Sequence, residues 1–373
     1  MATTNFGALT EHQLKVWSKD FWRETRNKTF VMAFAGNGSN SMIQRITELK
    51  KTIDGDRAVI TLINEATGDG VVGDNQLKGN EEALGQDEFV IRMDQWRHAH
   101  GNAGKMNDQR TIVNFREEAM NSLSNTAARV TDEIAFQFMS GVALTLKPNM
   151  APRTGSQLPL LKFAQDITAP TSRRHYRWTS AGLAAGDTGS VAVGDKPTWN
   201  MLVDMKAKAV TEFMRPIRTD DGIEVYNVFM SPEGIAHLKK DADFRQVWRE
   251  AQQRGDSNPL FKGTKLGGKA SGIYIDGLNI LEYRNVITTK GAASGSKWGA
   301  GGLIDGQRIL LCGAQALAFA DWGLASWEEE HDDYKNKYGI SIGKIFGFLK
   351  PKLFSTYAQS DQDFGVMCVD TAI

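Results

Sequence analysis

Cysteine is nearly missing: Cys312 and Cys368 are the only two in 373 residues, each inside an apolar run, RILLCGAQALAF and FGVMCVD. They read as buried thiols in a reducing compartment, with a disulfide between them the less favoured alternative. An excess of charge of one sign is missing too. Lys plus Arg and Asp plus Glu number 44 each, so no global field draws the chain onto nucleic acid or an anionic membrane. That argues against a dedicated DNA-binding protein, although equal totals leave a locally basic face open. No run of about 18 apolar residues occurs, so nothing reads as a membrane span. The start, MATTNFGALTEHQLKVW, lacks the charged head and apolar core of a signal peptide. No internal repeat is visible.

Catalytic signatures are missing as well. There is no G-x-S-x-G elbow and no cysteine in a polar setting suited to a low-pKa thiolate. Gly68-Asp-Gly70-Val-Val-Gly73 has the dinucleotide spacing, but Asp74-Asn75-Gln76 and Lys78-Gly79-Asn80 do not continue as the helix whose N-terminus would hold a pyrophosphate. Gly263 to Lys269 resembles a phosphate loop, yet Ala270 stands where the Mg-binding hydroxyl belongs and a strand follows. His98 and His100 would share one face of a strand with Asp94, a poor start for a metal site. Glu328 to Asp333 is an acidic run with one histidine, more simply a solvated or salt-bridging rim. Arg173-Arg174-His175-Tyr176-Arg177-Trp178 interleaves bases with aromatics as nucleic-acid surfaces do, but in a neutral chain it pairs more readily with acids on a neighbour. No cofactor or metal is expected.

What is present is architecture. A chain of this length outgrows one core, which stops growing near roughly 250 to 300 residues, so more than one lobe is expected. Val225 to Met230 reads as a strand entering a helix, with Ser231 placed to cap and Pro232 at the first helical position. That helix carries Ile235, Leu238, Phe244, Val247 and Trp248 on its core side, with a break near Asp241 to Asp243. Ile112, Phe115, Ala119, Leu123, Ala127, Val130, Ile134 and Phe138 recur at three- and four-residue steps. They predict a helix from a cap at Asp108 to a stop at Gly141, about 33 residues or roughly 50 Å. A coiled-coil dimer competes, but the stripe is too rich in alanine for a good seam.

Thr10 with Leu14, Trp17 and Phe21 suggests a short amphipathic helix. Ala58 to Ile63 and Phe89 to Trp96 read as strands joined by a long polar segment, far beyond the usual connection of about 4 to 6 residues. Such a loop is disordered or held by something outside the subunit. Thr198 to Ala209 reads as helix, Gly291 to Gly302 as a flexible loop, Arg308 to Phe319 as one buried strand, and Lys344 to Phe354 and Phe364 to Val369 as late strands.

Several of these segments, in this order, resemble the major capsid proteins of tailed bacteriophages, the N-four-like coat family. The carrying residues are Arg215-Pro216, Phe229 to Pro232, Leu238 to Phe244, Asn258 to Phe261 and Gly272-Ile273-Tyr274 through Tyr283-Arg284. Upstream matches are Phe30-Val31, Ile43 to Ile46, Gly79 to Leu84, Asp94 to His98 and Arg174 to Tyr176. The resemblance implies the Hong Kong 97-like capsid fold, α+β. Its parts would be an N-terminal arm (1–56), an extended loop (57–104), a peripheral domain with a spine helix (105–200 and 336–373) and an axial domain (201–335).

The implied function is structural. Copies would form hexamers and pentamers of an icosahedral shell enclosing packaged double-stranded DNA, touched non-specifically at the inner face, with no catalysis and no membrane. Portal, scaffolding or decoration proteins would be further partners, and the place would be the virion, assembled in the bacterial host cytoplasm. Candidate subunit contacts are Trp17 and Phe21 or Met32 and Phe34 for the arm, and Phe89, Ile91, Met93 and Trp96 at the base of the loop. The competing readings are an α/β nucleotide-binding protein or enzyme, and a non-capsid structural virion protein.

Overall fold

The apolar run from Arg308 to Phe319 is two strands in two different sheets. The computed structural model describes residues 20–47, 57–63, 70–81, 86–110, 114–219, 222–252, 273–334, 336–355 and 360–373. Between Cys312 and Leu317 the chain leaves one sheet and enters the other. Gly313 permits this, because a Cβ there would lie 2.0 Å from the Arg215 carbonyl oxygen. The Gly313 N–H donates to Gly365 O at 2.8 Å, Ala314 N–H to Arg215 O at 3.0 Å and Gln315 N–H to Ser41 O at 2.8 Å. The backbone donors of Gly313, Ala314 and Gln315 thus find partners across the crossing, and periodicity alone could not reveal the change of sheet.

The five-stranded sheet has the order β1 (Ala35–Gly36), β2 (Ile43–Ile46), β13 (Leu317–Asp332), β14 (Lys337–Leu349) and β5 (Asp94–Gly101). The eight-stranded sheet runs β10 (Ile273–Ile275), β11 (Leu278–Glu282), β9 (Glu224–Met230), β12 (Gly306–Cys312), β17 (Val366–Ala372), β6 (His175–Thr179) and β7 (Gly182–Ala185), with β8 (Ile217–Arg218) on β9. Two ribbons stand apart, β3 (Arg57–Ile63) with β4 (Gln86–Arg92), and β15 (Lys352–Ser355) with β16 (Ser360–Asp363). The helices are α1 (residues 20–28), α2 (Lys105–Arg110), α3 (Phe115–Ser140), α4 (Trp199–Thr211), α5 (Pro232–Lys240) and α6 (Ala242–Gln252).

The long helix is shorter than its pattern implied. Its cap is Asn114, whose side chain accepts from Arg116 N–H at 3.2 Å, and not Asp108. Asn114 stops the pattern because a short polar side chain there satisfies the first-turn donors, with Glu117 and Glu118 favourably placed behind it. At 26 residues α3 spans about 39 Å. It ends as expected at Gly141, in the left-handed region at φ 69°, where a Cβ would lie 2.6 Å from Thr168 O. From Val130 to Ser140 every residue is buried. One side of this half meets Phe319, Phe346 and Phe348 of the five-stranded sheet, the other Phe229, Leu310, Cys312 and Cys368 of the eight-stranded one, in a single core.

The strand-to-helix block is as its residues dictate. Ser231 Oγ accepts from Gly234 N–H at 3.1 Å, Pro232 opens α5, and the Asp241 carboxylate takes Trp199 N–H at 2.9 Å at the break before α6. Ile235, Leu238 and Phe244 are buried with Met201, Leu202 and Met205 of α4 against the far face of the eight-stranded sheet. Thr198 caps α4. The Trp248 side chain lies outside the described residues.

Strand pairing crosses the expected domain boundary at 335 twice. β13, expected in an axial domain ending at 335, pairs with β14 in the five-stranded sheet, while β17, expected with the peripheral part, pairs with β12 and β6 in the eight-stranded one. Sequence neighbours on either side of Gly313 and Gly365 therefore belong to different sheets. The segment Gly291 to Gly302, read as flexible, is closed by its backbone: Gly295 N–H and Lys297 N–H donate to Gly302 O, Trp298 exchanges bonds with Ile304, and Gly299 N–H reaches Thr188 O at 2.9 Å.

Candidate functional site

The segment after α1 is fixed to the middle of α3 by one carboxylate. Asp132 accepts from Phe30 N–H at 3.1 Å, from Val31 N–H at 2.9 Å and from the Tyr283 hydroxyl at 2.6 Å. The Phe30 ring stacks on Tyr283 with centroids 4.2 Å apart. Burial pushes the Asp132 carboxyl up, against its hydrogen bonds and the Arg284 charge, and burial with the nearby carboxylate pushes the Tyr283 phenol up. Sequence reasoning missed this group, although an aspartate inside an apolar helical stripe is a visible signal.

The arm candidates divide. Phe21 and Phe34 are buried within the subunit's own cores, the first beside Leu123 and Trp327, the second beside Phe229. Met32 is only half-buried, and Trp17 lies outside the described residues. At the loop base, Ile91 and Met93 pack on Ala318 and Ala320. Side chains this enclosed have no surface to offer a neighbour, which corrects the expectation for Phe21, Phe34, Ile91 and Met93. Phe89 and Trp96 keep partial exposure.

β3 and β4 pair from Arg57 opposite Arg92 to Ile63 opposite Gln86, a ribbon belonging to no larger sheet. Residues 70–81 beyond it contain turns and no helix, so the glycine pattern has no phosphate-binding helix behind it. Val72 and Leu77 are exposed there, while Asn75 Nδ2 donates to Val72 O and Asn80 Nδ2 to Gln76 O. The phosphate-loop look-alike at Gly263 to Lys269 lies outside the described residues.

The basic and aromatic cluster is engaged within the subunit, with Arg174, Tyr176 and Trp178 buried and Arg173, His175 and Arg177 half-buried. Arg174 is buried and donates to the carbonyls of Asp363 and Glu212, at 3.0 and 2.9 Å. Arg173 pairs with Glu212 at 3.3 Å, and His175 Nε2 lies 2.6 Å from Asp370, which also takes Arg308 Nε at 2.7 Å. The acids are on the same chain rather than on a neighbour. Burial alone would raise the Asp370 carboxyl; the Arg308 charge and the bonds from His175 and Arg308 outweigh it and hold the group below the usual carboxylate range. Cys312 and Cys368 are free and buried against Met139; burial raises both thiols, that of Cys368 to about 12.

His98 and His100 form an edge-to-face pair, ring centroids 5.5 Å apart, with His100 bonded to Ser122 Oγ at 3.0 Å. In the acidic run Glu329 takes a bond from Trp327 Nε1 at 2.9 Å and pairs with Arg116. Among the described residues no group of three or more His, Cys, Asp or Glu side chains could hold a metal ion, and no helix is long and apolar enough to cross a membrane.

A core that fuses two sheets around one helix, with ribbons and hairpins projecting from it, describes a protein whose surfaces carry its function. The comparisons identify the class. The chain matches the family described as phage capsid protein over residues 5–373 and belongs to that family. It is 46% identical over 373 residues to the major capsid protein of Pseudomonas phage KPP25, covering 99% of this chain and 97% of that protein. It is similar to the capsid of Ralstonia phage GP4, with 26% identity and a TM-score of 0.71 over 91% of this chain and 89% of that one. The capsid asymmetric unit of cyanophage Pam1 matches with 19% identity and a TM-score of 0.67 over 91% of this chain and 90% of that one. The fold is the mixed, Hong Kong 97-like one that the sequence resemblance implied.

Proposed function

We infer that this chain is the major coat subunit of a tailed-phage head, whose copies join as hexamers and pentamers of an icosahedral shell around packaged double-stranded DNA. The observation that carries this reading is the 46% identity to a phage major capsid protein across 99% of the chain. The work is mechanical: burial and charge complementarity at repeated contacts between copies, with no catalytic residue and no cofactor.

In this reading α3 and the five-stranded sheet form the peripheral lobe, and the eight-stranded sheet with α4, α5 and α6 the axial lobe. The β3–β4 ribbon with its connection is the extended loop, and the residues leading to Phe30 are the arm. Trp17, Met32, Phe89 and Trp96 remain the candidate contacts. DNA meets the inner face without sequence preference, portal, scaffolding or decoration proteins are further partners, and assembly takes place in the host cytoplasm before the protein resides in the virion. Electron microscopy of the purified protein tests the function. Closed shells of uniform diameter are expected; a persistent monomer that ATP stabilises would overturn the reading.

A further inference from the structure

The five-stranded sheet ends in two borders of opposite charge. Past Ala320, where β2 stops pairing, β13 continues as the outer strand of a β13–β14–β5 ladder. Residues directly opposed in such a ladder share a face. Ser326, Glu328, Glu330 and Asp332 oppose Gly343, Ser341, Gly339 and Lys337, and the first three of these β14 residues oppose Arg97, Ala99 and Gly101 in turn. The other face, with Trp327, Ile340 and Ile342, packs on α3 and α1. The outward face thus carries carboxylates along one edge, Gly343, Ser341 and Gly339 with the exposed Lys337 at the hairpin end in the middle, and Arg97 on the far edge.

Glu328, Glu330 and Asp332 are exposed, and none forms an ion pair among the described residues. The same holds for Arg97 on the opposite border and for Lys105 and Arg110 of α2, the helix that follows β5 and that Lys105 N–H ties to the hairpin through Asn336 O at 3.1 Å. At the apex Tyr334 is fully exposed and sits with Asp333 at φ 51°. A bulky residue in the left-handed region costs about 1–2 kcal/mol, and glycine or asparagine ordinarily fills such a position. Among the described residues nothing compensates, since the Tyr334 ring is in solvent.

We propose that this sheet end is a head-to-tail contact between copies of this chain, in which the carboxylate border and Tyr334 of one subunit dock on the Arg97, Lys105 and Arg110 border of the next. The occupant is a second copy because both complementary borders belong to one chain whose charges balance at 44 against 44. Contacts that use two different patches of one subunit close into rings, and opposed potentials fix their register. The contact rests on the coat reading.

Charge reversal tests it in the full-length chain, read by sedimentation and electron microscopy. Glu328→Lys with Glu330→Lys and Asp332→Lys, or Arg97→Glu with Lys105→Glu and Arg110→Glu, lowers assembled particles by about tenfold or more by juxtaposing like charges. Combining both sets restores assembly, which a merely misfolded variant would not do. Tyr334→Gly leaves the thermal midpoint of the subunit unchanged or higher and still lowers assembly. Reversed variants that assemble like the wild type, or a combined variant no better than either set, overturn the contact and leave the coat reading standing. A wild-type chain that gives no particles overturns the coat reading and the contact with it. Where a reversed variant fails to fold by circular dichroism, Glu330→Gln with Asp332→Asn replaces it: lower assembly supports the contact, and unchanged assembly sinks it.

Discussion

In its first half α3 buries Ala119, Leu123 and Ala127 and leaves Glu117, Glu118 and Asn121 in solvent; from Val130 onward it has no exposed side at all. The contrast extends to the whole subunit. Around the second half, two sheets share one core, and two of its polar side chains are answered there: Gln137 Nε2 donates to Leu146 O at 2.6 Å, and Glu133 pairs with Arg129 and Arg153 at 2.8 and 2.9 Å. Away from it, the β3–β4 ribbon and the β13–β14 hairpin project with Val72, Leu77 and Tyr334 in solvent. An isolated two-stranded ribbon is marginally stable in water, so the ribbon depends on what it leans against, whereas the junction is self-sufficient. In the proposed reading, stability belongs to the junction and assembly to the projections.

Cutting the projection gives the sharpest test of that division. Deleting residues 66–86 is expected to leave a folded subunit by circular dichroism and to abolish shells in electron micrographs. Normal shells from the deletion would end the loop assignment, and a collapsed subunit would end the division itself. The converse substitution is Phe136→Ala, at a fully buried ring set against Phe229 and Tyr283. It should cost about 3–5 kcal/mol in urea unfolding; a loss below about 1 kcal/mol would show that the junction is no core.

A third test, somewhat smaller, is Asp370→Asn, which strands Arg308 in the interior and is expected to cost about 3 kcal/mol at neutral pH. The pH dependence carries the sign. The folded carboxyl titrates below its ordinary value, so its contribution is fully present above the unfolded value near ~3.9 and is lost as pH falls through the folded one. Asp370→Asn should therefore flatten the acid side of the stability profile. An unchanged slope, measured by thermal melting across that range, would remove Asp370 from the account.

How much of this was legible in sequence follows the range of each interaction. Ser231, Pro232 and Gly141 act within a few residues, and each was readable because capping is local chemistry. Gly313 was not, since what forbids a side chain there is Arg215 O, nearly a hundred positions away. Nor was the return of β17 to the eight-stranded sheet, because pairing partners are chosen by tertiary contact rather than by period. That some contact candidates lie inside the subunit has a related reason. Ile91 and Met93 are apolar strand residues, and local pattern cannot tell a subunit's own core from a neighbour's surface. Glu328, Glu330 and Asp332 alternate along β13 with Trp327, Glu329 and His331, so which of these residues share the outward face is readable only once register is known.

The mildest expected effect separates two ion pairs of the same chemistry. Lys290 and Glu233 meet at the surface, each side chain 48% exposed, whereas Lys350 and Asp363 meet at 2.9 Å with exposures of 1% and 0%. In solvent the attraction is screened and two long side chains lose rotamer freedom, so Lys290→Ala should change unfolding free energy by less than about 1 kcal/mol. In the interior Asp363 also takes Thr171 N–H at 3.1 Å, and removing its lysine leaves a buried charge, so Lys350→Met should cost about 3–5 kcal/mol. Urea titrations of both variants measure the gap. Equal losses would mean that the exposed pair is enclosed in some state of the subunit, and the line between junction and surface would have to be redrawn around α5.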